Sequence, residues 1–340
     1  MVMLNEQQSE ELQTQHKVLL ELRGVKKYFP ITGGVLKRKQ GDVKAVENVS
    51  LQLFEGESLG VVGESGCGKS TLGKVILGLE ELTEGQIFFQ DTEIQHLKRK
   101  AKLKFVKQMQ MIFQDPFASL NPKQRIGHAL EEVFTMHTNM SAKEKKETVL
   151  QLLQEVGLKE EHYDKYPHEF SGGQRQRIGI ARAIALNPSF VICDEAVSAL
   201  DVSVQAQVLK LLKTLQEKYN LSYLFISHDL GVVRYFCDRV LVMYLGNTVE
   251  LGSVKSLFAK PLHPYTQALL SAIPRPTVHS NRKRIRLKGD LPNPANPPSG
   301  CPFHTRCPIV SDICRAKKPE WVEYETNHYA ACHFAGQPIT

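Results

Sequence analysis

The sequence predicts an α/β fold with a small cysteine-bearing extension at its C-terminal end. Three observations point there. Residues 60–72 pass from a short β-branched run, through a glycine-rich loop, into an apolar pattern of helical period. Three further short apolar runs, at 109–114, 190–195 and 221–226, each lead into polar residues suited to chemistry. After residue 274 prolines multiply and the periodic pattern fades, and four of the seven cysteines crowd the last 40 of 340 residues.

Bulk properties set outer limits. A chain of 340 residues holds one large α/β domain plus something smaller. Hydrophobic content of 42% and charged content of 23% are ordinary for a globular protein with a sizeable core. No apolar run approaches the roughly 18 residues that span a bilayer. The polar start Met1-Val2-Met3-Leu4-Asn5-Glu6 lacks the basic-then-apolar form of a signal peptide, so a cytosolic location is expected. The net charge of +7 suits a membrane surface or nucleic acid, but is common enough in soluble chains to decide little.

Taken in order, residues 1–15 carry no apolar stripe and are expected to be flexible. Residues 17–25 read as a strand, 31–42 as an exposed basic loop or solvated hairpin, 43–54 as a second strand, and 57–62 as the strand feeding the glycine-rich loop. A helix follows over 69–79, then strands over 85–89 and 109–114. Residues 124–166 are mostly helical in pattern, with Val149, Leu152, Leu153 and Val156 on one face. A helix runs from Ser171 to Ala185, a buried strand over 190–195, an amphipathic helix over 204–219, and a strand over 221–226. Residues 239–244 and 248–251 form a hairpin pair around Gly246-Asn247. Residues 276–340 read as a proline-rich linker, with the basic run Arg282-Lys283-Arg284, and a small cysteine module.

The loop Gly63-Glu64-Ser65-Gly66-Cys67-Gly68-Lys69-Ser70-Thr71 has the spacing G-x-x-x-x-G-K-S of a phosphate-binding loop. Its glycines let backbone N–H groups turn inward around an anion, and the following helix adds the positive end of its dipole. Lys69 has the reach for β- and γ-phosphates, and Ser70 offers a hydroxyl to Mg²⁺. Cys67 sits near a helix N-terminus, which lowers a thiol's pKa; its plainer role is a small filler.

Asp194-Glu195 ends a hydrophobic strand. In a parallel sheet the strand C-terminal ends share one edge, so this pair is expected beside the phosphate loop, Asp194 toward Mg²⁺ and Glu195 toward the attacking water. His228, at the end of the next strand, could meet the γ-phosphate, although a histidine there is more often structural. Gln114 stands at a strand end too and could touch both Mg²⁺ and water. Ser171-Gly172-Gly173-Gln174 presents bare N–H groups at a helix start. A second anion-facing helix start in a chain that already has one points to the nucleotide of another subunit.

Phe170-Ser171-Gly172-Gly173-Gln174 resembles the signature motif of ATP-binding cassette ATPases. The order of features over about residues 17–275 matches as well: Phe29, the phosphate loop, Gln114, the signature, Asp194-Glu195, Ser198-Ala199-Leu200-Asp201 and His228. Residues 113–122, 199–208 and 263–269 resemble the oligopeptide and dipeptide importer ATPases more closely, as does the proline-then-cysteine tail, and the whole resembles the F-type subunit. One departure is Ala196-Val197, where the family usually has proline first; a looser turn is expected there, with catalysis retained because both carboxylates remain.

The resemblance implies a P-loop NTPase: a RecA-like core, an antiparallel β subdomain and an α-helical subdomain at about 115–180, within a nucleotide-binding domain spanning 16–275. It implies ATP and Mg²⁺, with Phe29 stacking on adenine (Tyr28 as fallback, core packing as the alternative). The signature would close on the ATP of a second, D-type ATPase subunit in a heterodimer. Two transmembrane permease subunits, and indirectly an extracellular substrate-binding protein, complete the expected partners at the cytoplasmic face of the membrane. Dipeptide, oligopeptide, pheromone, nickel chelate and metallophore all stand as cargo. The rival class, a soluble cassette ATPase acting on nucleic acid, usually carries two cassettes or long coiled coils, and this chain has one phosphate loop and no long heptad run; no nucleic acid partner is expected.

Cys301, Cys307, Cys314 and Cys332 are spaced C-x5-C-x6-C-x17-C. Four thiolates hold an iron–sulfur (4Fe–4S) cluster or Zn²⁺. Structural zinc usually shows tighter pairs, and the resemblance implies an iron–sulfur cluster on a matching tail, so the cluster is the favoured expectation, with zinc or four free or paired thiols as the alternatives.

Overall fold

The computed structural model describes residues 17–33, 38–115, 120–273 and 285–339. The expected flexible N-terminus, residues 116–119 of the importer-like segment, and the basic run at 282–284 lie outside the described residues.

β1 (Val18–Gly33) and β2 (Arg38–Phe54) form a long hairpin. Leu20, Leu22 and Val25 face Leu53, Leu51 and Val49 across it, all buried. The segment expected as a basic loop or solvated hairpin is the far end of this hairpin, with Ile31 paired to Gly41 and Gly33 to Arg38. Backbone pairing carries the strands outward there beyond the reach of the core, so side-chain pattern gave no signal. β3 (Ser58–Val62) is buried at every position and runs into α1 (Lys69–Ile76). β4 (Glu84–Phe89) and β5 (Thr92–Glu93) complete a four-stranded antiparallel sheet ordered β2-β1-β4-β5.

α2 (Arg99–Gln108) follows, a helix the sequence reading missed because Leu103, Phe105 and Val106 are its sole large apolar residues among many charges. It leads into β6 (Met109–Ile112). α3 (Ile126–His137) and α4 (Ala142–Glu155) bury Ile126, Leu130 and Phe134 against Val149, Leu152 and Leu153. A capping box between Ser141 and Glu144 starts α4. α5 (Gly172–Ile184) precedes β7 (Phe190–Asp194), α6 (Val202–Tyr219), β8 (Ser222–Ser227) and α7 (Leu230–Phe236).

β9 (Arg239–Tyr244) and β10 (Asn247–Ser253) pair antiparallel. The turn falls one residue earlier than expected: Leu245 and Gly246 take the two positive φ values, 46° and 76°. Asn247 instead opens β10 and donates its side-chain amide to the Leu245 carbonyl at 2.7 Å.

α8 (Val254–Ala259) and α9 (Pro264–Ser271) lead to the tail, which holds α10 (Asp312–Ala316), β11 (Val322–Glu325) and β12 (His328–Ala330). The second sheet has eight strands in the order β11-β12-β10-β9-β3-β8-β7-β6, so the tail extends the main sheet beyond β10. His328 and Glu250 seal that junction with a buried 2.8 Å contact. β6, β7, β8, β3 and β9 are parallel. No helix among the described residues is long and apolar enough to cross a membrane.

His263 caps α9: its Nδ1 accepts the Tyr265 N–H at 3.0 Å, and the ring is 1% exposed. Burial pushes its pKa down to about 3. The neutral ring is therefore the folded form, while the unfolded chain takes up a proton below about pH 6.5. Stability from this group is complete above that pH and falls by about 1.4 kcal/mol per unit as pH drops toward the folded value. Urea unfolding from pH 7 to 4.5 is expected to show a slope that His263→Asn flattens.

Candidate functional site

The site is built where parallel strands end. Val62 of β3 pairs with Ser227 of β8, Asp194 of β7 with Ile226, and Ile112 of β6 with Cys193. The residues just past these ends are the phosphate loop, Glu195, His228 and Gln114, so four segments far apart in sequence share one sheet edge.

The loop is wound tightly around its own lysine. Lys69 is 5% exposed and its Nζ donates to the carbonyls of Gly63 at 2.8 Å and Glu64 at 3.0 Å. Ser65 and Gly66 are exposed, Gly63 and Cys67 buried, and Thr71 half-buried in the first turn of α1. Gly68 has φ 103°, and a Cβ there would lie 2.0 Å from the Ala45 carbonyl oxygen. β2 therefore presses on the loop from outside, and Gly246 N–H donates to the Cys67 carbonyl from another side at 3.0 Å. Burial raises the Cys67 thiol pKa, outweighing Lys69 beside it. That leaves Cys67 as a packed filler at neutral pH, and the helix terminus does not activate it.

Ser70 Oγ donates to Asp194 Oδ1 at 2.8 Å. Burial raises the Asp194 pKa, with the Ser70 hydrogen bond opposing. A hydroxyl and a buried carboxylate side by side form a hard oxygen donor set that suits Mg²⁺.

Glu195 is the point on which other side chains converge. Gln114 donates to its Oε2 at 2.9 Å, and His228 Nδ1 lies 3.5 Å from Oε1. Its backbone has φ 47°, rare for a residue with a side chain. The turn without proline is held by hydrogen bonds: Glu195 N–H to Ile226 O at 3.0 Å, and Ser198 N–H and Oγ to Glu195 O at 3.1 and 2.9 Å.

Ser171 to Gln174 form the N-terminus of α5, closed by a capping box between Ser171 and Gln174. Ser171 and Gly172 face solvent, while Gly173 approaches Val204 of α6 so closely that a Cβ would lie 2.4 Å from it. Phe29 pairs with Val43 on the hairpin and carries Lys27 Nζ 4.6 Å from its ring centre. The fallback Tyr28 is engaged elsewhere, its hydroxyl donating to Glu47 at 2.9 Å.

Two residues at the loop escaped the sequence reading. Tyr265 Oη accepts the Glu64 N–H at 2.8 Å, and Arg306 pairs with the Glu64 carboxylate. Tyr265 stood in a recognised stretch without a role, and nothing in the sequence links Arg306 to a loop 242 residues away.

The metal expectation for the tail is corrected. Among the described residues no group of three or more His, Cys, Asp or Glu side chains could hold a metal ion, and Cys301, Cys307, Cys314 and Cys332 are all described and unpaired. Three of these thiols serve packing, Cys307 from the edge of the core. Cys301 and Cys314 join the main core, and burial pushes Cys301 up to about 11 and Cys332 up to about 12. Burial raises the Cys307 thiol as well.

The family profile described as "ABC transporter" matches residues 46–198, and "Oligopeptide/dipeptide transporter, C-terminal region" matches residues 249–314. The chain is 56% identical over 320 residues to the oligopeptide transport ATP-binding protein AppF of Bacillus subtilis, covering 93% of this chain and 97% of that one. The chain belongs to the ABC transporter ATPases. Within that family it is also 49% identical to the dipeptide transport ATP-binding protein DppF of Haemophilus influenzae, over 92% of this chain and 96% of that one. Among solved ABC ATPases it resembles the ATP-binding cassette MJ0796, seen as a dimer in a post-hydrolysis state bound to ADP and Pi. There the TM-score is 0.62 and the identity 28%, over 69% of this chain and 99% of that one.

The crowding at Gly68 gives a direct check on this ABC ATPase loop. Gly68→Ala forces a side chain into a left-handed position against a carbonyl, and is expected to cost about 1–3 kcal/mol by urea unfolding and to weaken ATP binding.

Proposed function

We propose that this chain is the ATP-hydrolysing subunit that energises a peptide importer, acting as one half of a nucleotide sandwich with a second, D-type ATPase subunit. The observation that carries the catalytic part is the convergence of Gln114 and His228 on Glu195, at the sheet edge shared with the phosphate loop and Asp194. The peptide cargo is supported by relatives named for oligopeptide and dipeptide transport that match 93% and 92% of this chain.

In this reading the loop from Gly63 to Thr71 receives the ATP phosphates on its N–H groups, and Lys69 turns from the loop carbonyls to the β- and γ-phosphates. Phe29 stacks on the adenine. Ser70, Asp194 and Gln114 would hold Mg²⁺, which neutralises charge on the β- and γ-oxygens when bound. Glu195 takes a proton from the water whose oxygen bonds to the γ-phosphorus. The bond to the bridging oxygen breaks, and its electron pair leaves with ADP. Gln114 and His228 fix the Glu195 carboxylate, and His228 also faces the γ-phosphate. The exposed N-terminus of α5, with Ser171 to Gln174, closes on the ATP held by the partner, while the partner's signature completes the site here. The nucleotide-binding part comprises residues 16–275 and the extension 276–340. Closing and reopening of the pair at the cytoplasmic face of the membrane would drive two permease subunits that receive cargo from an extracellular binding protein.

Glu195→Gln is expected to lower ATP turnover by about 10²-fold or more while ATP binding persists, measured on the assembled transporter. Near-normal turnover would remove Glu195 from the role. Co-expression should also recover the chain with a second ATPase and hydrophobic membrane subunits; recovery as a fully active monomer would sink the sandwich.

A further inference from the structure

The C-terminal tail has no part in the reaction described above, yet it grips the phosphate loop. Arg306 donates two hydrogen bonds to the Glu64 carboxylate, Nη1 to Oε2 at 2.6 Å and Nη2 to Oε1 at 3.1 Å. This forked pairing is the strongest form of side-chain ion pair, and the Arg306 side chain is 9% exposed, so little water competes for it. A short turn delivers the guanidinium: His304 N–H donates to Cys301 O and Arg306 N–H to Phe303 O, both at 3.0 Å. Phe303 anchors that turn, 1% exposed, with ring centres 5.1 Å from Tyr244 and 5.4 Å from Tyr265. Tyr265 in turn accepts the Glu64 N–H. Glu64 is thus held at its backbone by one element and at its carboxylate by another.

Two more tail contacts reach the loop's surroundings. Pro294 O accepts the Lys44 N–H at 3.2 Å, next to the Ala45 carbonyl that presses on Gly68. Lys318 Nζ donates to Asn247 Oδ1 at 2.8 Å, next to Gly246, which bonds the Cys67 carbonyl.

A carboxylate inside a loop that binds a polyanion is an electrostatic liability unless a cation meets it. We propose that Arg306 is a positioning residue for the phosphate loop. By neutralising and fixing Glu64 it keeps the loop receptive to ATP phosphates, so that docking of residues 285–339 sets nucleotide affinity. This rests on reading residues 63–71 as the ATP phosphate site. Arg306 acts through Glu64 without touching the reacting atoms, so its loss should fall on binding more than on turnover at saturation.

The test uses the full chain, with MgATP affinity measured by calorimetric titration and KM and kcat measured in the assembled transporter. Arg306→Ala is expected to weaken ATP binding and raise KM by about tenfold, the scale of one charge-assisted contact, with kcat changed by less than about twofold. Arg306→Lys, which keeps the charge and loses the fork, should fall between. The decisive variant is Glu64→Gln with Arg306→Ala, which removes the unpaired charge and should recover affinity to within about threefold of wild type. Unchanged affinity in Arg306→Ala would overturn the proposal, and so would a double variant as weak as Arg306→Ala, since the tail would then act by bulk packing alone. Should Arg306→Ala not fold, wild-type affinity in Arg306→Lys overturns it and a loss of about threefold upholds it. A wild-type chain that binds no ATP overturns the nucleotide reading and this proposal with it; wild-type binding with an indifferent Arg306 overturns this proposal alone.

Discussion

Parallel pairing of β3 with β8, and of β8 with β7, is the constraint on which the rest of the structure depends. Each strand is buried along its length and carries its chemistry at its last pair or just beyond it. Parallel register aligns those ends, so the phosphate loop, Asp194-Glu195 and His228 arrive at one edge without a dedicated scaffold. A shift of one residue would draw the chemistry away from the shared edge and swap the side chains between two buried faces, which makes that shift costly.

Around that edge the structure adds pressure from several sides. Ala45 meets Gly68 from the antiparallel sheet, Gly246 bonds Cys67 from the β9–β10 turn, and Tyr265 and Arg306 hold Glu64. A glycine-rich loop has high conformational entropy when free, and such contacts restrict it before any ligand arrives. Glu195 shows the same logic at the end of β7. Its positive φ is an uncommon backbone state, sustained by hydrogen bonds to Ile226 and Ser198.

The tail shows how composition can mislead. Four cysteines in a short proline-rich segment suggest a module stapled by metal for want of a core. The structure supplies a core from elsewhere: Phe303, Cys301 and Cys314 pack into the main cluster, and β12 pairs with β10 over the buried His328–Glu250 contact. A segment that borrows a core in this way can be ordered by packing, and Cys301 and Cys314 then count as small buried side chains.

The sequence by itself determined the α/β class, the phosphate loop, and the strand ends at Asp194 and His228, because each is a local pattern: apolar runs of strand length, glycines at fixed offsets, and polar residues at the exits. It also determined the family, since ordered motifs are a property of the chain alone. It missed α2, whose apolar stripe is thin, and left the outer hairpin at Ile31 and Gly41 open beside a loop, because that end rests on backbone pairing. The tertiary structure alone decided the fate of the four tail cysteines and the contact between Glu64 and Arg306. Both depend on which surfaces meet across more than two hundred residues of chain, and no local periodicity encodes that meeting.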